Sequence, residues 1–142
     1  MSIKYTFSID PGANGACAIF ADDKFHSVFS FKYNVEWRDV LAYRLWRLQP
    51  RLIVVEDVHS FSGQGVKSMH TFGRNIEAVQ TTVKTMGYPF TLVRPQDWQK
   101  KLGLLRKEKA ASEVLALQLF PQLSEVKGDI FDAVLIGYTT TI

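Results

Sequence analysis

The sequence predicts an α/β domain over residues 1–142. Its core is a five-stranded mixed sheet, an antiparallel meander of three strands plus two parallel strands, flanked by helices. Three observations lead there. Residues 3–31 read as three short strands joined by turn residues; two later apolar runs are separated from the meander by helical patterns; and the remaining C-terminal stretch is helical, enough to cover a sheet.

Residues 3–10 and 15–21 are apolar runs, and Pro11-Gly12 with Asn14-Gly15 supplies turn chemistry between them. "DKFHSVFSF" (23–31) completes the meander. Asn34 is placed to cap a helix over 35–48, where Trp37, Leu41, Leu45 and Leu48 form one stripe, and Pro50 ends it. "RLIVVE" (51–56) is a short continuous apolar run, as in a strand buried on both faces. The strand-helix-strand passage makes it a parallel neighbour of 3–10. After the glycine-bearing loop "DVHSFSGQGVKS", a helix from about 66 to 86 carries Met69, Phe72, Ile76, Val79, Val83 and Met86 at helical spacing and closes at Gly87. "YPFTLVRP" (88–95) is a fifth strand. Pro95 then opens a short helix, "PQDWQKKLG". A helix over 106–120 stops at Pro121, and a last one follows Gly128 in "GDIFDAVLIGYTTTI".

Composition narrows the class. Of 142 residues, 46% are apolar and 22% charged, as in ordinary globular proteins. No apolar run is long enough to cross a bilayer, and the N-terminus lacks a signal-peptide core, so a cytoplasmic protein with no membrane partner is expected. The lone Cys17 lies in an apolar strand and reads as a small core residue. His26, His59 and His70 have no ligand spacing, which argues against zinc. Trp37, Trp46 and Trp98 fall on apolar stripes and read as core.

The candidate chemistry lies in the acids. Strands 3–10 and 51–56 finish on Asp10 and Glu56, and parallel neighbours would bring both out at their carboxyl ends, the edge where open α/β sheets bind ligands. Two carboxylates that close repel unless a proton or cation compensates, and for an all-oxygen site the usual cation is Mg²⁺ or Mn²⁺. Asp129 and Asp132 are three apart, in what reads as one helix's first turn. For Asp129 a capping role is as good a reading. Asp132 opens the apolar stretch "AVLIGY" and should face inward, where an acid needs a partner or a metal. Two strand-end acids and a late D-x-x-D helix suit a two-metal site for phosphoryl transfer.

"SIDPGANGACAIF", "IVVEDVHS" and "GDIFDAVLIGY", in this order, resemble the three acidic motifs of RuvC-type Holliday-junction resolvases of the ribonuclease-H-like superfamily. "VRPQDWQKKLGLLRKEKAASEVLALQLFP" is similar to the matching stretch of short RuvC-like proteins from phages. The resemblance runs over essentially the whole chain. It implies a ribonuclease-H-like fold with Asp10, Glu56, Asp129 and Asp132 holding two Mg²⁺ (or Mn²⁺). It also implies a homodimeric, structure-selective DNA endonuclease that resolves four-way junctions by paired symmetric nicks, leaving 5′-phosphate and 3′-hydroxyl ends. The helix from 66 to 86 would help form the dimer, a role its apolar stripe fits no better than packing on the sheet.

The rest of the chain is basic. Setting aside the four acids takes the net charge from +3 to +7. Arg94, Lys100, Lys101, Arg106, Lys107 and Lys109 cluster, and "RKEK" at a helix start opposes the dipole unless a phosphate docks there. Lys107 and Lys109 are the foremost candidates to contact the scissile strand, with Arg106, Lys100 and Lys101 beside them. Resolvases carry a stacking aromatic in the loop after the second acid; here His59 or Phe61 stands in that place, although Phe61 equally suits the core. Arg74, in "TFGR", resembles family positions near DNA and equally suits a helix surface. Two other readings compete: a nuclease for RNA–DNA hybrids or for branched or flap DNA, which the same four acids would serve, and an ATPase, since "DPGANGA" resembles the first phosphate loop of sugar-kinase and actin-type ATPases. The latter needs two facing domains, and 142 residues hold one.

Overall fold

A computed structural model describes residues 2–58 and 66–142, with the side chains of 66–72 excepted. The chain runs β1 (Tyr5–Asp10), β2 (Ala16–Ala21), β3 (Lys24–Ser30), α1 (Trp37–Leu48), β4 (Leu52–Glu56), α2 (Val66–Thr85), β5 (Thr91–Val93), α3 (Pro95–Lys101), α4 (Lys109–Leu119), a 3₁₀ turn (Pro121–Glu125) and α5 (Phe131–Thr139). The strands form one sheet in the order β3-β2-β1-β4-β5. β1 to β3 pair antiparallel, and β4 and β5 run parallel to β1, so the expected mixed sheet is present.

Period-2 alternation divides the strands between two cores. Phe7, Ile9, Cys17, Ile19, Ile53 and Val55 face one side, where Leu41 and Leu45 of α1 and Val79 and Val83 of α2 cover them. Ala16, Ala18, Phe20 and Val54 face the other, beneath α5, Trp98 of α3 and Ala116 of α4. Cys17 is buried and unpaired, as expected of a core residue. Both described valines of the α2 stripe are therefore spent within the chain, against the sheet. α5 approaches that sheet closely because Gly137 has no side chain: a Cβ there would run into the Phe20 ring and Ser8 Oγ.

Several boundaries differ from expectation. Asn34 does not cap α1 directly: its side chain accepts from the N–H of Glu36, making a turn one residue ahead of the helix. Of residues 88–95 only 91–93 are strand. Tyr88 is tied back, its N–H to Val83 and its hydroxyl to the Leu45 carbonyl, and Pro89 has no N–H to give a ladder. α4 begins at Lys109 rather than 106, because Arg106 adopts a left-handed backbone (φ 64°) and Lys107 closes a turn onto Leu104. α5 begins at Phe131, because Gly128 (φ 106°) turns the chain immediately before it. Asp129 is thus in the entering loop and Asp132 is the second helical residue; the two do not share a helix turn.

Candidate active site

β1 and β4 are in register from Thr6 against Leu52 to Ile9 against Val55, so the next step sets Asp10 beside Glu56. By strand alternation both acids share the face that carries Ser8 and Val54, the face α5 covers. Ser8 Oγ donates to the carbonyl of Ala133 at 2.7 Å, and that bond ties β1 to α5 one residue past Asp132. Three acids from three elements therefore converge at the carboxyl edge of the sheet.

Local chemistry explains each placement. Asp10 Oδ1 accepts from the N–H of Gly12 at 3.2 Å, so the Asp-Pro-Gly turn and the strand-end acid are one feature. A Cβ at Gly15 would collide with the Asp10 carbonyl, so only glycine lets β2 return this tightly. Glu56 is 6% exposed, and Trp98, 1% exposed, donates its indole N–H to Glu56 Oε2 at 2.5 Å. The sequence placed Trp98 in the core, where it is, but not as a donor to Glu56. The available signal was that a buried indole N–H needs an acceptor.

The acids are crowded and poorly solvated. Burial, then the charge of Asp132, raises Asp10 to a pKa of about 7. Burial, then the charge of Asp10, raises Glu56 to about 8, against the Trp98 hydrogen bond. Asp132 is also raised, by burial first, with Lys109 opposing and Asp129 adding to it. The compensating cation is Lys109, whose Nζ lies 2.7 Å from Asp129 Oδ2; that bond raises the lysine's own pKa.

The other basic candidates scatter. Arg106 and Lys107 are exposed in the turn before α4. Lys100 is exposed on α3, but Lys101 is turned to the far end of α5, where it donates to the Thr139 carbonyl at 2.7 Å and meets the helix dipole. Arg74 is on α2, in the layer covering the opposite face of the sheet, exposed beside a groove with Arg38 and Glu77. His59 and Phe61 lie outside the described residues.

A cleft of about 480 Å³ opens next to the acids, walled by Asp129, Asp132, Lys109, Lys32 and Tyr33 among others. Lys32 and Tyr33, in "FKYN" after β3, had no part in the sequence reading. Mg²⁺ or Mn²⁺ suits four carboxylates as a donor set, since hard divalent ions take oxygen ligands and would answer the repulsion that adds to burial in raising Asp10, Glu56 and Asp132. Among the described residues, no three His, Cys, Asp or Glu side chains stand ready grouped around an ion. The donors fit such an ion by chemistry rather than as a preformed cage.

No family model matches the sequence, and no curated protein does. Solved structures do match. RuvC of Thermus thermophilus in complex with a Holliday-junction substrate superposes with a TM-score of 0.68 at 18% identity, over 96% of this chain and 91% of that one. Another Thermus thermophilus RuvC structure gives 0.67 at 17%, over 95% and 92%. The fowlpox virus resolvase, bound to Holliday-junction DNA, gives 0.58 at 17%, over 96% and 97%. The fold is ribonuclease-H-like, with the strand order and helical layers described above. Among the described residues, no helix is long and apolar enough to cross a membrane.

Proposed function

We propose that this chain is a metal-dependent DNA endonuclease that cuts four-way junctions. One observation carries the reading: Asp10, Glu56 and Asp132 reach one sheet edge from three separate elements, with pKa values raised first by burial and then by neighbouring carboxylates. Burying like charges together is costly for folding alone, and sites of this kind concentrate where a cation or proton is to be handled. The junction comes from the solved structures of similar fold, two of which hold Holliday-junction DNA.

Asp10, Glu56, Asp132 and Asp129 would hold two Mg²⁺ or Mn²⁺ ions. When bound, such a pair supplies an activated water and stabilises charge on the phosphate and the leaving 3′ oxygen. The protein's own residues set the conditions. Asp10 and Glu56 give up their protons near neutral pH, which ties ion uptake to proton release. Trp98 donates to Oε2 of Glu56 and so holds that carboxylate in one orientation. Lys109 holds Asp129 while keeping a cation where a backbone phosphate would lie. Each chain carries one such centre, so paired nicks call for two copies of the chain.

The test is cleavage. Purified protein with Mg²⁺ or Mn²⁺ is expected to nick a synthetic four-way junction symmetrically and spare a linear duplex of the same sequence. Equal cutting of both would remove the junction selectivity. Preferential cutting of an RNA–DNA hybrid would move the activity to that substrate.

A further inference from the structure

The cleft beside Asp129 and Asp132 has a second set of walls that metal binding leaves unexplained. Tyr33 is a large aromatic with 60% of its surface exposed, and Lys32 Nζ stands 5.4 Å from its ring centroid. The ring is not loosely hung. Gly128 faces it, and a Cβ at that position would lie 3.3 Å from Tyr33 Cδ2 and 2.7 Å from Ser30 Oγ, so the end of β3 and the loop bearing Asp129 pack backbone to side chain. Lys109, paired with Asp129, lines the same cleft, and Asn14, exposed in the β1–β2 turn, brings an amide with both donor and acceptor.

An exposed aromatic ring in a cleft that also carries two lysines is a combination that recognises a nucleotide: the ring stacks a base whatever its identity, and the cations take the flanking phosphates. The volume, about 480 Å³, is in the range of small-ligand sites. Asp129 and Asp132 belong to the proposed metal site and also line this cleft, so a strand whose phosphate lies at the acids would run into the cleft that Tyr33 walls.

We propose that the cleft between Tyr33, Lys32 and Lys109 is a nucleotide subsite in which Tyr33 stacks the base adjoining the scissile phosphate. The assignment rests on the DNA-endonuclease reading. It adds a residue that selects strand position, and with Asn14 at the base edge it provides a means of preferring one base there.

Junctions carrying 5-iodouracil at successive positions around the cut, mixed with the metal-free protein and irradiated, report which side chain lies on which base. Cross-linking to Tyr33 at one position next to the cut is expected. Tyr33→Ala should slow junction cleavage about tenfold at limiting substrate, the order of one lost base–aromatic stack, with Tyr33→Trp restoring it. Tyr33 is exposed, so circular dichroism of the variants should be unchanged. If the wild type cuts junctions while cross-links fall elsewhere, or Tyr33→Ala cuts like wild type, the subsite is wrong and the nuclease reading stands. If the wild type neither binds nor cuts branched DNA, the nuclease reading fails and takes the subsite with it.

Discussion

Trp98 and Glu56 meet through a 2.5 Å hydrogen bond, indole N–H to carboxylate, with both side chains closed to solvent. α3 thereby fixes the rotamer of an acid on β4, a residue 42 positions earlier in the chain. Trp98→Phe keeps the packed ring and removes the donor. A lost hydrogen bond to a group that can carry charge costs about 1–3 kcal/mol, visible as a lower urea midpoint. Because this bond lowers the Glu56 pKa, the variant's half-point for Mn²⁺ binding should also move to higher pH in calorimetric titrations. An unchanged half-point would mean the bond does not tune Glu56.

The raised acids make a signed prediction for pH. Asp10 ionises near 3.8 when unfolded and near 7 when folded; for Glu56 the values are 4.5 and about 8. Between these limits the folded chain binds more protons than the unfolded one. Their contribution to stability is therefore fully present below about pH 4 and is lost as pH rises through 7 and 8. Metal-free protein should show a melting temperature that falls between pH 5.5 and 8.5, with a smaller fall in Asp10→Asn. Mg²⁺ should raise the melting temperature more at pH 8.5 than at 5.5, because ion and proton compete for the same oxygens.

Gly137 allows α5 to carry Asp132 to the sheet edge. Gly137→Ala should gain about 1 kcal/mol of helix propensity and lose more to the collision with Phe20 and Ser8 Oγ, since overpacking costs about 1–3 kcal/mol and the Ser8 bond to Ala133 goes with it. Net destabilisation in a urea melt, with weaker Mn²⁺ binding, is the expected outcome.

Lys109→Met separates two roles of one lysine. Its ion pair with Asp129 is largely exposed on the lysine side, so removal should shift stability by no more than about 1 kcal/mol. Asp129 is released, and divalent-ion affinity measured by calorimetry should rise. Junction affinity should fall, with the slope of log K against log salt shallower by about one.

The sheet was legible because its strands are short apolar runs bounded by turn residues, and the Asp10–Glu56 neighbourhood followed from the parallel pairing. What escaped were features set by contacts distant in sequence. Three positive-φ positions moved helix starts: Gly103 and Arg106 ahead of α4, and Gly128 ahead of α5. The pairing of Lys109 with Asp129 spans 20 residues, and Ser8 reaches Ala133 across 125. Lys101 reads as one of a basic cluster in sequence, yet its charge is turned onto the end of α5. Tyr33 carries no local signal; only the approach of Gly128 places it at the acids.

The central claim is that Asp10 and Asp132 serve chemistry and not folding. Junction cleavage and junction binding, measured side by side for wild type, Asp10→Asn and Asp132→Asn in Mg²⁺, test it most directly. Both variants should lose cutting while binding the junction nearly as tightly as wild type, since binding rests on the basic surface. Wild-type cutting rates in either variant would contradict the assignment.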